Sequence, residues 1–382
     1  MTPALTDSWM LGSLRVPNRV MLAPLAGIGN WFVRLQAKRY GAGMAVSEMV
    51  SSHAIRHHNE KTCNEMLRID PRERVCGPVA IQLFGEDPAT MRFAAAHVAA
   101  LGADAIDINM GCPVAKVQKT GAGAALLAQP DRAVAVARAA VEGARQAHRA
   151  SGCGADLTGA DGIPVTVKLR SGLRPGERSG FELAHRLVRE AGVAAIAFHP
   201  RSAAVHHKGV PDYELAARLV ASLPAPVILT GGLSDAAHVR EAFATTGAEA
   251  VMLARGALGN PWLFAQLLQG GEHDPSPHEV LAELDWTIDR AVEHLGEQRA
   301  TRYLRKFYPW YVARLQLDSR RAKELQGALQ TTPTLADVRA LLRLPRVGAA
   351  VAAQAAERSS GRARRPAILL RSLTAPGPRD PR

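Results

Sequence analysis

The chain has 382 residues, 47% of them hydrophobic, enough for one large barrel with a smaller helical unit and too much apolar content for a disordered chain. Its 47 Lys and Arg against 35 Asp and Glu give a formal charge of +12, which favours a polyanionic partner, nucleic acid ahead of membrane, through counterion release. Cys63, Cys76, Cys112 and Cys153 form no CxxC pair and no zinc-ligand spacing, and no 18-residue apolar run occurs, which argues against a disulfide scaffold, a metal centre and a membrane span. The start, MTPALTDSWM, carries no basic stretch followed by an apolar one. The expectation is a soluble, cytoplasmic protein with no obligate protein partner evident.

In chain order, residues 11–20 predict a short hairpin closing the bottom of a barrel. Short β-rich runs then alternate with helical patterns as far as about residue 270. The predicted strands are 19–23, 44–48, 79–84, 105–109, 165–169, 194–199, 226–230 and 250–253. Helical patterns at 88–101, 130–148, 181–191, 213–222 and 235–246 separate them, several starting at Pro or Asp. Eight β-then-α units predict a (β/α)8 TIM barrel over 1–270, of class α/β. A doubly wound sheet is the rival, but it would need extra strands.

Five strands carry a polar residue near their C-terminal end: Glu48, Gln82, Asn109, Lys168 and His199. Alternation in 165–169 points Lys168 at the barrel axis, where an unpaired amine is costly and an anionic or electron-rich ligand is implied. Residues 106–126, IDINMGCPVAKVQKTGAGAAL, place Cys112 at a strand end in a glycine-rich loop with Lys116 and Lys119. An isolated cysteine there is either a small buried hydrophobe or a thiol placed for chemistry on an anionic ligand. The last two strands end in Thr230-Gly231-Gly232 and Ala254-Arg255-Gly256, which suit phosphate binding through backbone N–H groups, with Arg255 adding charge. Residues 149–163 read as a surface insertion with a non-catalytic Cys153.

A polar linker at 268–275 leads to Ser276-Pro277-His278-Glu279, a helix start with a capping box. Leu281, Leu284, Ile288, Ala291, Val292 and Leu295 follow at helical spacing, and another capped helix begins near Thr334. Residues 302–314 interleave Arg302, Arg305 and Lys306 with five aromatics, either for phosphate contact and base stacking or as a core with a solvated basic face. The segment 275–345 is expected to be a small all-α domain, and 351–382 a basic, disordered tail.

Several motifs now resemble the tRNA-dihydrouridine synthases, with the overall pattern closest to the bacterial B-type branch. They cover about residues 12–315: Ala23-Pro-Leu-Ala-Gly-Ile28, Ser47-Glu-Met49, Gln82, Asp107-Ile-Asn-Met-Gly-Cys-Pro113, Lys168-Leu-Arg-Ser-Gly172, His199-Pro-Arg201 and Arg255-Gly-Ala-Leu-Gly-Asn-Pro-Trp262. The resemblance implies FMN over the barrel mouth, reduced by NADPH or NADH, with tRNA as substrate. It implies that Pro24, Leu25 and Ala26 line the flavin ring, that Gln82 and Lys168 hydrogen-bond it, and that His199 lies beside it. It implies phosphate contacts from Thr230, Gly231, Gly232, Ala254 and Arg255. Asn109 would orient the uracil, Arg201, Arg302, Arg305 and Lys306 would contact RNA, and Cys112 would be the proton donor. The sequence departs from the pattern at Leu25, Asn30, Pro200 and Leu229-Thr-Gly-Gly232.

The implied reaction suits these groups. Hydride addition at uracil C6 leaves negative charge over C5 and the C4 carbonyl, and an acid must protonate C5. A thiol is mostly protonated at neutral pH yet acidic enough to serve. Lys168 would stabilise the reduced flavin, and the target base must leave the folded RNA to reach the pocket. Two other readings remain: an FMN barrel acting on a free pyrimidine, of dihydroorotate type, and a catalytically silent tRNA-binding barrel.

Overall fold

The computed structural model describes residues 3–150, 162–271 and 273–343. Most of the expected insertion, including Cys153, and the basic tail lie outside the described residues. Two short strands, β1 (Trp9–Leu11) and β2 (Leu14–Val16), pair antiparallel. Eight more follow: β3 (Val20–Leu22), β4 (Met44–Ser51), β5 (Val79–Phe84), β6 (Ala105–Met110), β7 (Val165–Arg170), β8 (Ala195–His199), β9 (Val227–Thr230) and β10 (Ala250–Leu253). Each pairs parallel with the next, and β10 returns to β3, so the sheet is a closed barrel rather than an open doubly wound one.

Strand alternation sorts the side chains. Along β8, Ile196 and Phe198 face the helices while Ala195 and Ala197 face the axis. The lower inward positions are all apolar, mostly alanine and methionine: Met21, Met44, Val46, Ala80, Ala105, Ala195, Ile228, Ala250 and Met252. Trp9, Leu11 and Val16 pack against them, so a β1–β2 hairpin plugs the barrel floor; it spans residues 9–16 rather than the expected 11–20, because Val20 already opens the first barrel strand. The upper inward positions are polar, and there the site lies.

The outer helices start on residues that satisfy their free N–H groups. Asp87, Asp212 and Asp235 accept from Thr90, Leu215 and His238 respectively. Residues 268 and 269, expected in the linker, belong instead to the helix Trp262–Gln269, because its apolar face packs on the barrel through Leu263, Phe264 and Leu267. The C-terminal segment forms helices Pro277–Leu295, Glu297–Leu304, Tyr308–Val312, Ser319–Thr331 and Leu335–Arg343. Ser276 and Glu279 form the expected capping box.

This helical segment shares one continuous core with the barrel: Val280, Leu284 and Ile288 belong to the same cluster as Trp31 and Phe32. Gln36 of the first barrel helix donates to Glu283, Thr287 and Tyr311. The closest approach is at Gly259, whose φ is +59° and where an added Cβ would stand 2.7 Å from Trp310 Cβ and 2.8 Å from its carbonyl carbon. Gly259→Ala should therefore destabilise the protein by at least about 1–3 kcal/mol, the cost of a side chain in left-handed backbone alone. Urea unfolding with an unchanged midpoint would contradict this contact.

Candidate active site

A cavity of about 700 Å³ opens at the C-terminal ends of the barrel strands, within the usual range for small-molecule sites. The barrel residues that the resemblance assigns to cofactor, substrate or proton donor all line it, whereas Glu48, Lys116 and Lys119 do not. Pro24, Leu25 and Ala26 come from the loop after β3, Gln82 from β5, and Asn109 and Cys112 from β6 and its loop. Lys168 rises from β7, His199 from β8 and Arg201 from the loop after it, Thr230 from β9 and Gly231 and Gly232 from the loop after it, and Ala254 and Arg255 follow β10. Gly231 (φ +98°) is required there, since a Cβ would lie 2.2 Å from the His199 ring.

Glu48 is the exception among the five polar strand ends. Between Val46 and Met49, β4 advances three residues while β5 advances two, a bulge that breaks the alternation. Met49 therefore lines the cavity, and Glu48 turns outward to accept from Gly27 N at 2.8 Å. Arg302, Arg305 and Lys306 lie outside the cavity, exposed on the helical segment. Lys306 sits 4.8 Å over the Tyr303 ring and donates to Gly27 O at 3.2 Å. Phe307, Tyr308 and Tyr311 are buried, so they are core residues, while the bases form a separate exposed face.

One chain of hydrogen bonds sets the polar floor. Thr166 Oγ1 and Gln82 Nε2 both donate to Asp107, each at 2.6 Å. Asn109 Nδ2 donates to Gln82 Oε1 at 2.9 Å, and Asn109 Oδ1 accepts from Gly111 N at 3.1 Å and Cys112 N at 2.9 Å. From the other side, Arg170 Nε donates to Gly111 O at 3.0 Å, and its Nη1 to Ser202 O at 3.0 Å and His206 O at 2.7 Å. Arg170 thus ties the Cys112 loop to the loop after β8. The half-buried Cys112 is a free thiol facing the cavity.

Among the described residues no Asp or Glu lines the cavity, whereas Lys168, Arg170, Arg201, Arg255 and Arg314 all do. Burial, then the Arg170 charge, lowers the Lys168 pKa to about 8 despite Asp107 and Cys112. Burial and the neighbouring Arg201 bring Arg170 down to about 10. His199, buried beside Lys168, Arg170 and Arg201, is held well below the usual histidine range and is neutral at pH 7. Burial pushes Asp107 up to about 6, opposed by Thr166, Gln82 and Lys168. Arg201 Nε is buried without a hydrogen-bond partner. The cavity is built to receive negative charge.

Sequence reasoning assigned no role to Arg170, His206, His207 or Arg314. Arg170 could have been found by alternation, two residues beyond Lys168; the histidines and Arg314 depend on how distant loops meet. Asn109→Ala strips partners from Gly111 N, Cys112 N and Gln82 Oε1. We expect a loss of about 1–3 kcal/mol in urea unfolding, together with faster alkylation of Cys112 by iodoacetamide as its loop loosens; unchanged values for both would remove Asn109 from this role.

Residues 21–344 match the family model described as Dihydrouridine synthase (Dus). The chain is 34% identical to tRNA-dihydrouridine synthase B of Pseudomonas aeruginosa over 315 residues, covering 80% of this chain and 87% of that one. It is also 34% identical to a probable tRNA-dihydrouridine synthase of Rhodobacter capsulatus over 342 residues, covering 86% and 96%. Among solved structures, histamine dehydrogenase from Rhizobium sp. 4-9 superimposes with a TM-score of 0.52 at 14% identity, covering 70% of this chain and 48% of that one, a likeness of fold alone. With its cavity at the mouth of a closed barrel, the chain belongs to the dihydrouridine synthase family and is an oxidoreductase of that type.

Proposed function

We propose that this chain reduces the C5=C6 bond of a uridine in tRNA, with FMN as cofactor and NADPH or NADH as reductant. The observation that carries the reading is a thiol, Cys112, and a buried amine, Lys168, lining one acid-free cavity at the barrel mouth. The residues present fit the flavin. Lys168 and Gln82 are placed for its polar edge, and Pro24, Leu25 and Ala26 offer a flat apolar wall with His199 nearby. The backbone of Thr230, Gly231 and Gly232, with Ala254 and Arg255, suits its phosphate. The Thr230 hydroxyl is not free for this, since it donates to Met252 O. When bound, FMN supplies the hydride that adds to uracil C6.

Cys112 then gives its proton to C5, held at the rim by Asn109. Asn109 Oδ1 is committed to two backbone N–H groups, so its contact with uracil runs through Nδ2, whose second neighbour is only Met49 Sδ at 3.7 Å. Lys168 and Arg201 bring positive charge to the electron-rich base. The exposed Arg302, Arg305 and Lys306 on the helical segment, within the unit spanning 275–345, supply phosphate contacts for tRNA. A cytoplasmic location goes with a tRNA substrate, and among the described residues no helix is long and apolar enough to cross a membrane.

Cys112→Ala should keep its flavin and lower dihydrouridine formation by roughly 10²–10⁴-fold, the usual worth of a positioned acid. Mass-spectrometric mapping of dihydrouridine in tRNA checks this, and near-normal product would move the acid role elsewhere. A preference for free dihydroorotate over tRNA would overturn the substrate class.

The Lys168 amine, with its pKa lowered to about 8, should also leave a mark on cofactor binding. An electron-rich ligand favours the protonated amine, so flavin affinity should hold up to about pH 8 and then fall by up to about tenfold per pH unit. Lys168→Met should bind more weakly and lose that decline, as read by fluorescence titration. An identical pH profile in both proteins would separate Lys168 from the flavin.

A further inference from the structure

We propose that Arg314 binds a phosphate group at the cavity rim, so that the C-terminal helical segment completes an anion site begun by the loops after β9 and β10. The inference rests on the cofactor and RNA reading above and adds a residue from outside the barrel to it.

The placement follows from the packing. Trp310 abuts Gly259 so closely that no side chain fits between them, which fixes the helix Tyr308–Val312 against the loop that carries Arg255. Arg314 lies four residues after Trp310, and its N–H bonds Tyr311 O, so the last turn carries it past the same loop. It lines the same cavity as Ser234, Arg255, Gly256 and Leu258 of the loops after β9 and β10. Among the described residues, its guanidinium makes no hydrogen bond or ion pair, although the residue is only half-exposed. Burial lowers its pKa, and the one acid that opposes this, Asp274, accepts from Gln316 at 3.1 Å.

A partly buried guanidinium lining a cavity in which no described Asp or Glu stands, and which Arg255 also lines, is matched by an oxyanion with several acceptor atoms. A phosphate fits. It could be the monoester of the cofactor or a diester of the RNA flanking the target nucleotide, and the two can be told apart.

Full-length protein stripped of flavin is titrated with FMN and with riboflavin, which lacks the phosphate, as wild type, Arg314→Ala and Arg314→Lys. If the cofactor's phosphate is the ligand, Arg314→Ala weakens FMN roughly tenfold or more, leaves riboflavin unchanged, and Arg314→Lys retains most of the affinity. If the RNA is the ligand, both flavins bind Arg314→Ala normally, while tRNA binding weakens and its log–log salt slope drops by up to ~0.9. Unchanged FMN, riboflavin and tRNA binding in Arg314→Ala overturns the proposal. A wild-type protein with no preference for FMN over riboflavin overturns the FMN reading itself, and the tRNA arm then decides Arg314.

Discussion

Everything at this site depends on strand alternation within a closed parallel barrel. Eight strands turn every second side chain toward one axis, so the character of each inward layer decides what the barrel can do. The lower layer is alanine, methionine and valine under a hairpin plug, which leaves no room for solvent below. Above it, Gln82, Asp107, Thr166 and Lys168 occupy the next inward positions; the first three are hydrogen-bonded to one another through Asp107, and Lys168 stands outside that set of bonds. Where alternation is broken, at the β4 bulge, a methionine replaces a glutamate on the wall. That single extra residue keeps the cavity free of carboxylates.

The electrostatics follow from the same arrangement. Burying several cations together costs free energy in the empty protein, seen in the lowered pKa values of Lys168 and Arg170. An arriving anion relieves that cost, so part of its affinity is prepared by the fold. Asp107 is the only acid close to Lys168 in this network, and it lies beneath the floor, locked by Thr166 and Gln82. It can tune Lys168 without competing for the ligand.

Much of this was legible in the sequence, for physical reasons. The eight strands are short apolar runs with strong β preference, and their polar ends follow the period of two, so the sequence itself places Gln82, Asn109, Lys168 and His199 at the mouth. Glu48 failed because a bulge leaves no mark in composition. The 302–314 run was ambiguous because aromatic and basic residues alternate in sequence but part company in space, with Tyr308 and Tyr311 inward and Arg302 and Arg305 outward. Arg314 was invisible as a wall residue because its position depends on a contact between segments some fifty residues apart, made possible by the absence of a side chain at Gly259.

The peptide groups of Gly27 are gripped from opposite sides: Glu48 takes its N–H, and Lys306, from the helical segment, takes its carbonyl. Asn30, three residues on, donates to Tyr303 OH at 2.6 Å. The loop bearing Pro24, Leu25 and Ala26 is thus fastened to the same helix that presents the basic face. The Lys306 ammonium carries three N–H donors, of which the Gly27 carbonyl takes one, so the group that braces this loop keeps donors for the exposed side. Through Lys306 and Tyr303 the inner apolar wall and the outer basic face are held in one fixed relation, so a change in the packing of the helical segment is carried directly to the loop that lines the cavity.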